Sequence, residues 1–263
     1  MRIKTNLLVF FIFFSLVACK KVIDVNLKNA DAKAVITGEV NNLPGPYKVT
    51  VSKSLNFTSD NNFPPVSGAL VTISGNGITE TLEEKEPGNY FTKNLIGKPG
   101  ESYTLTVSFD GKAYTSTSVM PKPVHLDSLT FLLGRGNDIY PVANFQDPPG
   151  TNNYYQFIEF VNGKKFGNGR GNSVFEDRLS DGRYITRTLY DDSSDIKEGS
   201  VLKVQMNCID KNVFTYLNEL LQISAEGGGF SSPAPTNPES NISGGVLGYF
   251  SANTVSSKTV EIQ

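Results

Sequence analysis

A mainly β fold is predicted by three features of the sequence. Glycine (24), proline (14), tyrosine (11) and phenylalanine (17) are abundant and tryptophan is absent, a composition of short strands and frequent turns. Apolar and polar residues alternate with period two in one segment after another, most clearly Tyr103, Leu105, Val107 and Phe109 against Thr104, Thr106 and Ser108. Asp110-Gly111 joins that run to a second one ending at Val119. An Asp-Gly pair between alternating runs signals a hairpin, because both central residues take positive φ.

The first nineteen residues stand apart from this pattern. Arg2 and Lys4 precede an apolar run from Leu7 to Val17, too short to span about 30 Å of hydrocarbon as a helix and matched to a signal-peptide core. The run ends in Leu16-Val17-Ala18-Cys19. This resembles the bacterial lipoprotein signal, in which the cysteine takes a diacylglycerol on sulfur and becomes the acylated N-terminus. Residues 1–18 are read as the leader, Cys19 as the lipidation site and 19–33 as a tether. Several acyl chains, palmitate among them, make a stable anchor where one is marginal. Lys20 stands where inner-membrane retention signals carry aspartate, so the outer membrane is the expected destination. Whether the protein faces the periplasm or the cell surface is left open by Lys20-Lys21-Val22-Ile23-Asp24.

Composition excludes several classes. Lys+Arg is 24 against 26 Asp+Glu, and loss of Arg2 and Lys4 with the leader makes the balance more negative. No basic stripe remains to neutralise nucleic acid. Apolar residues at 38% and charged residues at 19% support a packed core rather than disorder. Once Cys19 is acylated, Cys208 has no cysteine partner, and it shares parity with Leu202, Val204 and Met206, as a buried hydrophobe would.

From 34 to 120 the chain reads as seven short strands, at about 34–40, 47–54, 69–74, 78–84, 89–93, 102–109 and 112–119. That number over so short a span predicts a two-sheet sandwich of immunoglobulin-like or transthyretin-like character. The loop from Leu55 to Ser67 carries Asn61, Asn62 and Phe63, a candidate partner loop beside the plainer reading of a connection. Met120-Pro121-Lys122-Pro123 marks a stiff boundary.

The second β-rich domain is read over 121–263. Candidate strands are 128–133, 139–146, 154–161, 174–177, 183–189 and 201–209, with two closing strands at 246–253 and 255–262. Phe214, Leu217, Leu220 and Leu221 fall at helical spacing, which predicts one amphipathic helix over about 212–224 with Asp210 as N-cap, lying over a sheet face.

Chemistry-bearing residues are sparse. Asp191, Asp192 and Asp195, with Glu198 nearby, are a weak candidate calcium set that lacks the ordered twelve-residue loop. Asp177 and Asp181 could be a carboxylate pair, but they flank a turn at Asp181-Gly182 and a turn role is simpler. Gly167, Gly169 and Gly171 have no helix after them, so a dinucleotide fingerprint lacks its context. Tyr154, Tyr155, Phe157 and Phe160 suit a core better than a sugar platform. His125, the one histidine, lies in a proline-rich connector without a partner for Cys208. Asp127-Ser128-Leu129 resembles the short sequence used for O-linked glycosylation in Bacteroidota, with Ser128 as acceptor.

Longer motifs carry a family resemblance. They include Cys19-Lys20-Lys21-Val22-Ile23-Asp24, Asn62-Phe63-Pro64-Pro65-Val66-Ser67-Gly68-Ala69, Gly88-Asn89-Tyr90 and Pro99-Gly100-Glu101-Ser102-Tyr103. Further along come Asp147-Pro148-Pro149-Gly150, Phe175-Glu176-Asp177, Tyr190-Asp191-Asp192, Asn237-Pro238-Glu239-Ser240 and Gly244-Gly245-Val246-Leu247-Gly248-Tyr249-Phe250. Together they resemble a family of Bacteroidota lipoproteins whose shared domain is of unknown function (DUF4249). The resemblance covers essentially the whole mature chain and implies an accessory role beside TonB-dependent transporters. It brings no catalytic residues and no cofactor.

The expected function is therefore that of a non-enzymatic, lipid-anchored outer-membrane protein partnering a TonB-dependent transporter. The alternatives are a stand-alone glycan or cell-surface binding module and a structural, adhesin-like surface protein.

Overall fold

The computed structural model describes residues 32–55, 63–134, 138–150, 152–166, 172–189, 196–226 and 237–262. These residues form a mainly β fold with one described helix. The alternating segments become strands in chain order: β1 (Ala34–Asn41), β2 (Lys48–Lys53), β3 (Leu70–Gly75), β4 (Ile78–Thr81), β5 (Glu83–Glu86), β6 (Asn89–Phe91), β7 (Ser102–Phe109) and β8 (Lys112–Val119). The segment read as one strand at 78–84 is two, β4 and β5, because Leu82 turns into the core between them. The β7–β8 hairpin closes on Asp110-Gly111, where both residues have positive φ as the pair requires.

The remaining strands are β9 (Ser128–Leu133), β10 (Ile139–Gln146), β11 (Tyr154–Val161), β12 (Lys164–Lys165), β13 (Asn172–Glu176), β14 (Tyr184–Thr188), β15 (Val201–Ile209) and β16 (Leu247–Glu261), with helix α1 (Lys211–Glu226) between the last two.

Among the described residues there are three sheets. A nine-stranded sheet runs β12-β11-β15-β16-β1-β2-β6-β5, with β13 also pairing β11. A four-stranded sheet runs β4-β3-β7-β8, and a three-stranded one β14-β10-β9.

Two cores lie between these layers. In the first, Ile36, Val49, Val51, Tyr90 and Phe250 of the large sheet meet Val71, Ile73, Tyr103, Leu105 and Val107 of the four-stranded sheet. In the second, Tyr155, Phe157, Leu202, Val204, Met206 and Cys208 of the large sheet meet Leu129, Ala143, Phe145 and Ile185 of the three-stranded sheet. The opposite face of the large sheet is covered there by α1, where Val213, Tyr216 and Leu217 pack with Ile209, Tyr154 and Tyr249. The buried stripe of the helix therefore differs from the expected one, since Leu220 is exposed. Tyr216 takes its place because the sheet offers it the Tyr249 ring at 5.1 Å.

Strand β16 joins the two cores. Leu247–Asn253 pairs with β1 in parallel, and Thr254–Glu261 pairs with β15 antiparallel. The sequence suggested two strands meeting near residue 254. The chain changes partner there but stays extended, so they are one strand. Gly248 has φ +98, and a β-carbon on it would overlap the Ile36 carbonyl. Only glycine lets the two backbones come this close. No helix among the described residues is long and apolar enough to cross a membrane.

Candidate functional site

A cluster of three aspartates forms where the chain crosses between the large sheet and the three-stranded one, once in each direction. Strand β10 ends at Gln146 and gives way to the turn Asp147-Pro148-Pro149-Gly150. Strand β13 ends at Glu176, and the chain turns through Asp177 to Gly182 before entering β14. Because β10 pairs with β14 and β13 pairs with β11, both turns are brought to the same end of the two layers. The Asp147 N–H donates to the Arg183 carbonyl at 3.0 Å and ties one turn to the other.

Each turn then holds the other's carboxylate. The Gly182 N–H donates to Asp147 Oδ2 at 2.9 Å. The Gly150 N–H donates to Asp181, at 2.9 Å to Oδ1 and 3.2 Å to Oδ2. Gly182 has positive φ, and a β-carbon there would lie 2.8 Å from Pro149 Cβ, so the clasp needs glycine at this position. From the core side, the Tyr155 hydroxyl donates to Asp147 Oδ1 at 2.5 Å. Burial, and next the hydrogen bond to Asp147 and the charge on it, push the Tyr155 phenol far up and keep it a donor.

Asp177 completes the cluster. Oxygens of Asp147, Asp177 and Asp181 all lie within 4.8 Å of one another. Asp147 and Asp177 are fully covered and Asp181 is exposed. Both Asp177 carboxylate oxygens are buried without a hydrogen-bond partner. Burial raises the Asp177 carboxyl above the usual range; the nearby Asn153 N–H offsets part of this, and the charge and close approach of the Asp147 carboxyl, then the Asp181 charge, add to the rise. Sequence reasoning recognised the Asp181-Gly182 turn but not its assembly with Asp147, which is thirty or more residues away. The Asp-Gly spacing in both turns was the available signal.

The other residues singled out by sequence are dispersed. Cys19, Asn61, Asn62, Asp191, Asp192 and Asp195, with the glycine-rich segment 167–171, lie outside the described residues. Phe63 is exposed. Ser128 opens β9, half-buried and opposite Asn144. Tyr155 and Phe157 are fully buried, and the Tyr154 ring packs at 5.0 Å from Phe214, so these three serve the cores as expected; Phe160 is half-buried outside them, with the Lys203 ammonium 5.5 Å from its ring centre. Cys208 is buried, and burial pushes its thiol up, away from the reactive thiolate. His125 is exposed in the connector.

Comparison with known proteins agrees with the motifs. The model of the family described as a domain of unknown function (DUF4249) matches residues 20–259, and the chain belongs to that family. No curated protein matches the sequence. Among solved structures, a DUF4785 family protein from Legionella pneumophila is similar at 13% identity, with a TM-score of 0.26 and coverage of 66% of this chain and 52% of that one. The chain thus spans about half the length of that protein.

Proposed function

We propose that the protein is a lipid-anchored, non-catalytic binding protein of the outer membrane that works beside a TonB-dependent transporter. The observation that carries this reading is an apolar sheet edge. Phe131, Leu132 and Leu133 are exposed at 37%, 46% and 75% on β9, the terminal strand of its sheet among the described residues. An edge strand offers free backbone donors and acceptors, and consecutive exposed apolar side chains add a surface that favours a protein partner. The leader ending in Cys19 supports anchoring. The buried Cys208 thiol and the isolated, exposed His125 support a non-catalytic role. The first core, with two sheets packed face to face, supports the immunoglobulin-like or transthyretin-like reading of β1–β8.

The test is recovery of the tagged protein from its native outer membrane in mild detergent, with mass spectrometry of what accompanies it. A stoichiometric TonB-dependent transporter, lost on Leu133→Lys, is the expected result. Recovery of the protein alone would contradict the reading. The glycan-binding alternative rests on Tyr184, 54% exposed on β14. Glycan-array binding abolished by Tyr184→Ala, without a transporter, would favour it.

A further inference from the structure

We propose that Asp147, Asp177 and Asp181 form a calcium site. The Asp177 side chain is fully covered and neither carboxylate oxygen has a partner in normal hydrogen-bond geometry, with only the Asn153 amide and the Asp147 carboxyl close by. Native proteins rarely leave a buried carboxyl so, because nothing replaces the water it lost. No Lys, Arg or His among the described residues forms an ion pair with any of the three aspartates. The side chain is aimed at the other two carboxylates, with ligand oxygens mutually within 4.8 Å. That is the widest separation of two oxygens on one ion with bonds of about 2.4 Å, within the calcium range.

The donor set selects the kind of ion. All three ligands are carboxylate oxygens, which suit hard cations rather than zinc or copper. Asp147 and Asp181 are already oriented by the glycine amides, yet each oxygen keeps a second lone pair for a metal. Exposed Asp181 gives an entry path and leaves room for water to complete six to eight ligands. Calcium tolerates such an irregular, partly hydrated shell, whereas magnesium demands near-ideal octahedral geometry. The competing occupant is a proton held between neighbouring carboxyls.

The test uses the full chain in detergent, stripped with EDTA and titrated with terbium chloride as a luminescent substitute for calcium. The chain has 11 tyrosines and no tryptophan, so tyrosine is the sensitiser. Tyr155 lies against the site through its bond to Asp147. The expected result is luminescence saturating at one terbium per chain, displaced by calcium chloride, with a calcium-dependent rise in Tm. Asp177→Asn should weaken calcium binding by about tenfold or more, since affinity follows the ligand charge count. Asp181→Asn, exposed and still able to accept the Gly150 amide through its remaining oxygen, should weaken it too. The triple variant D191N/D192N/D195N should bind as the wild type does. Absence of saturable luminescence and of a Tm rise would overturn the proposal. So would undiminished binding in Asp177→Asn and Asp181→Asn, or binding lost in the triple variant.

Discussion

The two cores handle their buried polar groups differently. In the first, the Tyr90 hydroxyl accepts from the Ala69 N–H at 2.9 Å and donates to the Val66 carbonyl at 2.8 Å. The Tyr47 N–H donates to Thr92 Oγ1 at 2.8 Å. Among the described residues of β1–β8, no buried side-chain polar atom lacks a partner; beside this core, on the part of β16 that pairs with β1, Asn253 Oδ1 does. Around the second core, Asp177 leaves both carboxylate oxygens open, and Ser173 Oγ and Arg187 Nε are also buried without hydrogen bonds. A region whose polar groups are saturated serves as scaffold. A region with unspent donors and acceptors has capacity for a ligand, at a cost in stability.

The largest expected effect comes from severing the strand that spans both regions. Gly248→Ala forces a β-carbon into the Ile36 carbonyl at positive φ. We expect a loss of about 3 kcal/mol or more, read by urea denaturation. Both cores should lose stability together, since β16 supplies Phe250 to one and Val260 to the other. Unfolding of one core alone would break the comparison.

Next come two tyrosines. Tyr90→Phe and Tyr155→Phe each strand buried partners and should cost about 1–3 kcal/mol. The Tyr90→Phe loss should be the same in calcium and in EDTA. The Tyr155→Phe loss should differ between them, because its partner Asp147 is a proposed ligand.

A smaller effect is expected at the polar seam between the regions. Asp210 caps α1, accepting from the Asn212 and Val213 amides at 2.9 and 3.0 Å, and also accepts from the Ser118 hydroxyl of β8. Asp210→Ala should cost about 1 kcal/mol in thermal or chemical unfolding.

The smallest signal is a pH slope. The Asp177 carboxyl is raised in the fold, mainly by burial. Its contribution to stability is therefore full below the unfolded value, about pH 4. It is lost as pH rises through the raised value. In EDTA, Tm should fall more steeply between acid and neutral pH for the wild type than for Asp177→Asn. Calcium, which binds the ionised form, should reverse that difference.

β7 and β8 were legible because one face of each is buried, and a half-buried strand shows its period in the sequence. β9, β10, β11 and β15 also fall on the expected segments, although β10 is buried on both faces through its centre and β9 is mostly exposed. The Asp210 cap and the helix were readable for the same local reason. Pairing was less legible. Nothing in the residues near 34–41 announces a parallel partner at 247–253. The acidic cluster was hidden by the same distance. A run of nearby aspartates at 191–195 attracted the calcium reading, while Asp147, Asp177 and Asp181 meet only because β10–β14 and β11–β13 pair.

Amide hydrogen exchange on the full chain, with calcium chloride and with EDTA, tests the contrast between scaffold and ligand-bearing region most directly. Calcium should slow exchange at Gly150, Gly182 and Arg183 and in the adjoining ends of β10, β13 and β14, and leave β1–β8 unchanged. Exchange unaffected at the two turns, or slowed equally across β1–β8, would contradict it.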